Sequence, residues 1–503
     1  MFCDHWAKCD GALAGYRSGT HHRRSATFYL MAAAYLEHGI NLGNIVAGDV
    51  TGTSPTISLI SDVFCPSIGD EDGTAYDVAI ENGAVVAVTP HTKQQLSTLQ
   101  LRGVIISQCG LLAPSLCHAH VHLDKCFLLQ DTKYNDLQIV TGDFAEAMSL
   151  TGQAKQRFSE DDLLRRGRRL IEESVQAGVT CMRAFIEVDE IAQLESLNAG
   201  LKLKEEFKDR CFIQICAFAQ LAVFDDSVGY ERRELIEEAI MNDAVEVIGV
   251  TPYVEDSLEK MKQCVSWAIK LALRQKRHLD FHLDYNLDAE QEPLVWNVIQ
   301  ELKQQRWTEH ALSTQKICLG HCTRLTLFSE DEWRRLADEI GSLPISFVGL
   351  PTSDLFMMGR PKGRGSQRQR ATLQLPEMVQ QYGLKCAMSI NNIGNAFTPW
   401  GSIDPVALAS LGMGVYQSGT KNDAILLYVS YERLYSCSNP VDLIRSLSQR
   451  VRRKQLGSRR SHPQTSCCTQ HQMRVQNELP EVLLMSSTAS IRRLDAVLYI
   501  KED

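Results

Sequence analysis

No uninterrupted apolar run of about 18 residues occurs in the sequence, so nothing in it reads as a transmembrane helix. A basic excess is missing too: 52 Lys and Arg face 61 Asp and Glu, for a formal charge of -9. General nucleic-acid binders carry a basic footprint, so neither nucleic acid nor membrane is expected as a partner. The start, MFCDHWAKCDG, lacks the basic residues and following apolar stretch of a secretory leader. Cysteine is plentiful at 16, but the residues are scattered, and Cys211, Cys216, Cys318 and Cys386 stand in apolar strand-like runs. A free thiol there behaves as a small core hydrophobe, and a reducing, cytoplasmic setting is expected. With 44% apolar and 22% charged residues, the composition is that of a chain with a large buried core.

A chain of 503 residues suits one barrel with a smaller companion. Residues 1–55 show no clear period and receive no assignment. From Thr56, ISLISDVFCPS and YDVAIENGAVVAVTP read as strands of a small β unit over 56–113, which the strand-like tail within 481–503 could complete. Across 114–436, strand-like runs begin near Leu116, Val179, Cys211, Val245, Leu279, Lys316, Pro344 and Leu384, with amphipathic helices between most of them. Ser159 and Asp162 suggest a capping box for one such helix, with Leu163, Leu164, Leu170, Ile171 and Val175 on its apolar face and Gly178 at its end. Alternating strands and helices imply a parallel sheet, and eight units close a (β/α)8 barrel. An open doubly wound sheet would place a Gly-rich phosphate turn after its first strand; LDKCF stands there instead. Residues 437–480 are basic and polar and read as a disordered linker. Within them His462, Cys467, Cys468 and His471 match no zinc-finger spacing.

The segment PSLCHAHVHLDK, from Pro114 to Lys125, carries His118, His120 and His122 at alternate positions. Alternate residues on a strand share a face, and neutral imidazole is the commonest metal ligand. Reactive groups of such barrels sit at the C-terminal strand ends. Gln220 follows the third barrel strand, His282 lies on the fifth, His321 ends the sixth, and Asn391 and Asn392 follow the eighth. The joint placement points to a metal site.

HAHVHLDK, FHLD, GHCTRL, LPTSDLFMMGR and SINNIGNAFTPWGSIDP resemble the cytosine deaminase branch of the amidohydrolase superfamily over roughly Ile57 to Tyr431. The resemblance implies a barrel with a small β-sandwich formed by N- and C-terminal strands. It makes His120, His122 and His282 metal ligands and sets His118 aside. It makes His321 the catalytic group that polarises the substrate, and Gln220 the residue that holds the substrate's amide edge. The fourth strand, VEVIGV, has no lysine to bridge two metals, so one divalent ion is implied, zinc or iron. Two carboxylates of that branch are replaced: Tyr285 stands where a proton-shuttling glutamate is expected, and Asn391 where a metal-binding aspartate is expected. An amide takes no proton at neutral pH, and tyrosine, with a pKa near 10, is a poor base. Asn391 is left as a substrate-facing or metal-facing amide. Asp284 has the strand parity of His282 and could reach the site, so Asp284, Tyr285 and His321 are the acid–base candidates. Asp124 most simply pairs with Lys125 or a neighbouring loop. Arg360, Lys362, Arg364, Arg368 and Arg370, after the seventh strand, would favour a substrate carboxylate or phosphate. The expected function is metal-dependent hydrolysis of a C–N bond in a ring amidine or cyclic amide, the substrate a small nitrogen heterocycle. The other reading is a catalytically impaired barrel acting as a binding or scaffold protein. Relatives of this kind are commonly homo-oligomers.

Overall fold

Strands apolar on both faces must be covered on both, and here a ring of helices covers one face while the strands close on themselves to bury the other. In a computed structural model of the chain, β1 (Leu59–Phe64), β2 (Tyr76–Glu81), β3 (Ala84–Pro90) and β4 (Val104–Ala113) precede eight parallel strands. These are β5 (Leu116–His122), β6 (Val179–Glu187), β7 (Phe212–Ala219), β8 (Val245–Val250), β9 (His278–Leu283), β10 (Ile317–His321), β11 (Ile345–Gly349) and β12 (Cys386–Met388). Three short strands follow, β13 (Leu483–Leu484), β14 (Arg492–Arg493) and β15 (Val497–Tyr499). The structure describes residues 58–65, 74–81, 84–92, 104–113, 115–360, 369–429, 483–484, 492–493 and 497–499. The stretches 1–55 and 437–480, and with them His462, Cys467, Cys468 and His471, lie outside the described residues, as do Lys362, Arg364 and Arg368. Among the described residues, no helix is long and apolar enough to cross a membrane.

The small unit is one sheet in the order β14-β13-β15-β4-β1-β2-β3. The late strand β15 enters it antiparallel to β4, pairing Val497 with Ala113 and Leu498 with Leu112. Ile60, Val63, Val78, Ile80 and Leu112 form its buried cluster.

The eight-stranded sheet runs in sequence order from β5 to β12, every neighbouring pair parallel. Its two edges meet where Val121 bridges Asn391. There His122 N–H donates to the Asn391 carbonyl at 2.9 Å, and Asn391 N–H donates to the His120 carbonyl at 3.1 Å. Ser389 Oγ adds a bond to the His120 carbonyl at 2.7 Å. This is the (β/α)8 barrel that the alternation of strands and helices implies.

Alternation sorts the side chains. Met182, Ala184, Ile186, Ile213, Ile215, Leu279 and Phe281 join the large apolar cluster with the helices. Phe185, Cys216, Phe218 and Val247 pack in a separate, inner cluster. Arg183 Nη1 and Asp280 Oδ2 pair at 2.6 Å, both groups buried, and Arg183 Nε donates to Gln214. The helix Glu160–Gln176 buries Leu163, Leu170, Ile171 and Val175 as its spacing predicts. Its capping box does not form: Ser159 makes no side-chain cap bond and its Oγ accepts from Lys133 at 3.3 Å, while Asp162 is taken by Arg166 and the Tyr134 hydroxyl.

Gly249 on β8 belongs to the inner face. A Cβ there would stand 2.6 Å from Cys216 Sγ and 2.8 Å from the Phe218 ring. Overpacking a filled interior costs about 1–3 kcal/mol. Gly249→Ala is therefore expected to lower unfolding stability by that amount, as measured in urea.

Candidate metal centre

The histidine strand is irregular, and the irregularity selects its ligands. His118 pairs with Met182, whereas Val121 pairs with Ala184, so β5 carries one extra residue between them. A bulge reverses the parity beyond it. His118 therefore shares the outward face of Met182, while His120 and His122 turn inward with Phe185. Strict alternation would have put all three imidazoles together.

His120, His122 and His282 are 0%, 2% and 2% exposed. One ring nitrogen of each lies within 4.8 Å of the others. His122 Nε2 and His282 Nε2 are 3.3 Å apart. Two nitrogens bound to one tetrahedral zinc at 2.0–2.1 Å stand about 3.3–3.4 Å apart, so the spacing fits a shared cation. Both ring nitrogens of His120 are buried without a hydrogen-bond partner. Burial first, and neighbouring cationic groups second, hold all three imidazoles well below their usual pKa and so in the neutral, ligating form. Phe185 stacks on His120 with centroids 3.9 Å apart, and Phe218 lies 4.3 Å from His282, fixing the rings from below. The donor set fits one divalent ion.

Three strand-end residues have left-handed backbones, with φ of 49° at Asp284, 65° at His321 and 61° at Asn391. Such angles are uncommon for residues with a side chain and concentrate at functional sites. At β10 Gly320 faces inward, so alternation would send His321 out; the reversed φ accompanies its entry into the cavity. His321 Nδ1 is then 2.8 Å from Asp354 Oδ1, and the buried Asp354 also accepts from Thr372. The dyad leaves the Nε2 of His321 for the cavity.

At Asp284 the effect is the reverse. Its carboxylate accepts from the N–H groups of Leu294 at 2.7 Å and Val295 at 3.1 Å, at the start of the helix Val295–Gln304. It does not line the cavity; Tyr285 does. The parity argument for Asp284 assumed a strand continuing past Leu283, and the strand stops there. As a helix cap, Asp284→Ala is expected to cost about 0.5–2 kcal/mol of stability while leaving metal uptake unchanged, as checked by urea unfolding and metal analysis.

Tyr285 Oη is buried without a hydrogen-bond partner, and its ring centroid is 4.2 Å from that of His321. Burial, then Asp354 and Tyr253, push its hydroxyl well above the usual value, so it stays protonated. Asn391 donates through Nδ2 to Ser353 Oγ at 2.8 Å, and its Oδ1 is buried and unpartnered. Gln220 lines the same cavity, as the resemblance implies.

Lys125, which sequence reasoning treated only as a neighbour of Asp124, also reaches the cavity. Its ammonium bonds Glu187 Oε1 at 2.6 Å and Gln220 Oε1 at 3.2 Å, and lies 4.5 Å from the centre of the Phe397 ring. Asp124 instead accepts from the Glu187 N–H at 3.0 Å. Lys155 bridges Glu187 and Asp189 behind the wall. Arg360 donates to the Phe356 carbonyl and lies over that ring, outside the cavity lining.

No family model matches the chain. The chain is 21% identical over 336 residues to a pterin deaminase of Rhizobium rhizogenes, covering 66% of this chain and 70% of the relative. It is 24% identical over 215 residues to an N-isopropylammelide isopropyl amidohydrolase of a Pseudomonas species, covering 42% of this chain and 50% of the relative. Among solved structures, 5-methylcytosine deaminase of Klebsiella pneumoniae superposes with a TM-score of 0.64 at 19% identity, over 75% of this chain and 86% of that one. N-isopropylammelide isopropylaminohydrolase of Burkholderia multivorans gives 0.57 at 18% identity with the same coverage. The chain is thus similar in sequence to a pterin deaminase and to an N-isopropylammelide isopropyl amidohydrolase, and it shares the barrel fold of the two solved structures.

Proposed function

We propose that the protein is a metal-dependent amidohydrolase that hydrolyses a C–N bond of a small nitrogen heterocycle, by deamination or by opening a cyclic amide. The observation that carries this reading is the buried His120–His122–His282 cluster at the strand ends, with its 3.3 Å nitrogen pair. These residues would hold one zinc or iron ion, with Asn391 Oδ1 as an available oxygen. When bound, such an ion supplies the Lewis acidity that makes water nucleophilic at neutral pH.

The chain's own groups do the rest. Phe144, Tyr253, Tyr285 and Phe397 line the cavity and offer flat walls to a planar ring. Gln220 uses its oxygen on Lys125, so its NH2 faces the substrate and selects a carbonyl or ring-nitrogen acceptor. His321, held through Nδ1 by Asp354, presents Nε2 to the reacting carbon, supports the developing oxyanion and moves the proton from water to the departing nitrogen. Tyr285 stays neutral and acts as a hydrogen-bond donor. Asp284, turned away as a helix cap, takes no part in proton transfer. The ten described cysteines are free thiols, which supports a reducing, cytoplasmic compartment.

The test is ammonia or amine release from a panel of oxo- and amino-substituted pyrimidines, triazines and pterins by zinc- or iron-loaded protein. Turnover that is abolished by chelation and falls about 10²–10⁴-fold in His321→Ala is expected, the usual loss for a general acid–base. A protein that takes up no divalent ion, or whose turnover survives His321→Ala, overturns the reading.

A further inference from the structure

The cavity wall contains no carboxylate among the described residues. Both acidic positions of the cytosine deaminase pattern are neutral, Tyr285 and Asn391, so an ion held by three neutral imidazoles and an amide oxygen keeps both its charges. The Lys125 ammonium stands in the same wall; Glu187 and Gln220 take two of its three N–H groups, and the third is a donor to the cavity.

Hydrogen-bond polarity points the same way. The Gln220 oxygen accepts from Lys125, a donor-only partner, which fixes the amide with its nitrogen free for the cavity. Asn395 Oδ1 accepts from the backbone N–H groups of Phe397 and Thr398, so its nitrogen must be the donor to Asn392 Oδ1. That leaves the NH2 of Asn392 as its remaining group. Tyr285 adds an unpartnered hydroxyl. Lys125, Gln220, Asn392 and Tyr285 thus supply donors, and among the described residues no carboxylate lines the cavity to accept from a ring amino group. A buried charge is tolerated only when paired and hydrogen-bonded, and charge-assisted bonds from such donors are the strong ones.

We infer that this cavity selects an anionic, oxo-rich nitrogen ring, such as a deprotonated cyclic imide or ureide, over a neutral amino-substituted ring. The inference rests on the metal-site reading above and names the substrate class for it. It draws on the cavity wall alone and not on the arginine-rich loop after β11.

The experiment is calorimetric titration of the zinc-loaded full chain with barbiturate, an anionic trioxopyrimidine, and with uracil and cytosine, neutral rings of the same size. Metal content is measured on the same samples. Barbiturate is expected to bind at least tenfold tighter than either neutral ring. Asn391→Asp, which restores one negative charge without disturbing the packing, should cut that ratio at least tenfold, and Lys125→Met should do the same. Equal binding of the three rings, or no barbiturate binding, by protein that retains one zinc overturns the inference and leaves the metal site standing. Failure to take up zinc overturns both. A ratio unmoved in a folded, zinc-loaded Asn391→Asp protein shows that the selectivity does not come from the charge of the site, and overturns the argument.

Discussion

His282→Ala is expected to abolish the zinc-dependent stabilisation of the protein. A ligand that binds only the folded state adds RT ln(1 + [L]/Kd), about 2.7 kcal/mol at a hundredfold excess over Kd and about 4 kcal/mol at a thousandfold excess. His282 is the only member of the cluster contributed by β9, and its Nε2 forms the 3.3 Å pair with His122. Without it, two imidazoles from one strand remain, and the stabilisation should fall below about 1 kcal/mol under the same conditions. The metal-free proteins should differ far less. The Nδ1 of His282 has no partner, and a buried unsatisfied polar atom costs about 1–3 kcal/mol. Removing it offsets much of the lost packing against Phe218. Thermal unfolding with and without zinc, for both proteins, gives the four numbers needed. Equal zinc-induced shifts in Tm would dissociate the cluster from metal binding.

Glu187→Gln is expected to destabilise the fold by about 3–5 kcal/mol, the usual result of leaving a buried charge without its partner. Glu187 is wholly buried and accepts from both Lys125 and Lys155. The substitution keeps the shape, leaves the Lys125 ammonium without a carboxylate and leaves Lys155 with Asp189 alone. Burial alone would raise the Glu187 pKa, but Lys125 and Lys155 outweigh it and hold the carboxyl at about 2. A depressed folded value means that the contribution is present above the unfolded pKa, near 4.3, and is lost as pH falls from there toward 2. Urea unfolding from pH 7 to pH 2 should show the wild type losing this stability in that interval. Glu187→Gln should start lower and lack that part of the slope. Pairing it with Lys125→Met should recover part of the loss by removing the stranded charge.

The eight strands were legible in the sequence because each is an apolar run bounded by helices, and burial on both faces writes that pattern directly. His120, His122, His282, His321, Gln220 and Asn391 were proposed from their position at strand ends together with a family pattern, and the fold brings them together at one cluster and cavity. What failed was the extrapolation of parity. Asp284 was assigned to the site on a two-residue period, yet its φ of 49° turns the carboxylate to cap a helix and brings Tyr285 in. Alternation alone cannot exclude His118, because a bulge has no residue signature in HAHVH. Lys125 and Asp354 were overlooked as site residues. Their roles depend on partners 62 and 33 residues away, Glu187 and His321, which no local spacing reveals. Asp354 did leave a trace as the one acid in LPTSDLFMMGR, the segment already matched to the loop after the seventh strand.

The bridge between Val121 and Asn391 has a consequence for how the protein is made. The backbone bonds that close the ring run between the histidine strand and the residue that would complete the donor set. During synthesis from the N-terminus, His120 and His122 emerge first, His282 about 160 residues later, and Asn391 more than 100 residues after that. A partly made chain can therefore offer a cation two ligands, then three, but the full cage exists only when the last barrel strand docks beside the first. If Asn391 is the fourth donor, ring closure and completion of the cage are one event.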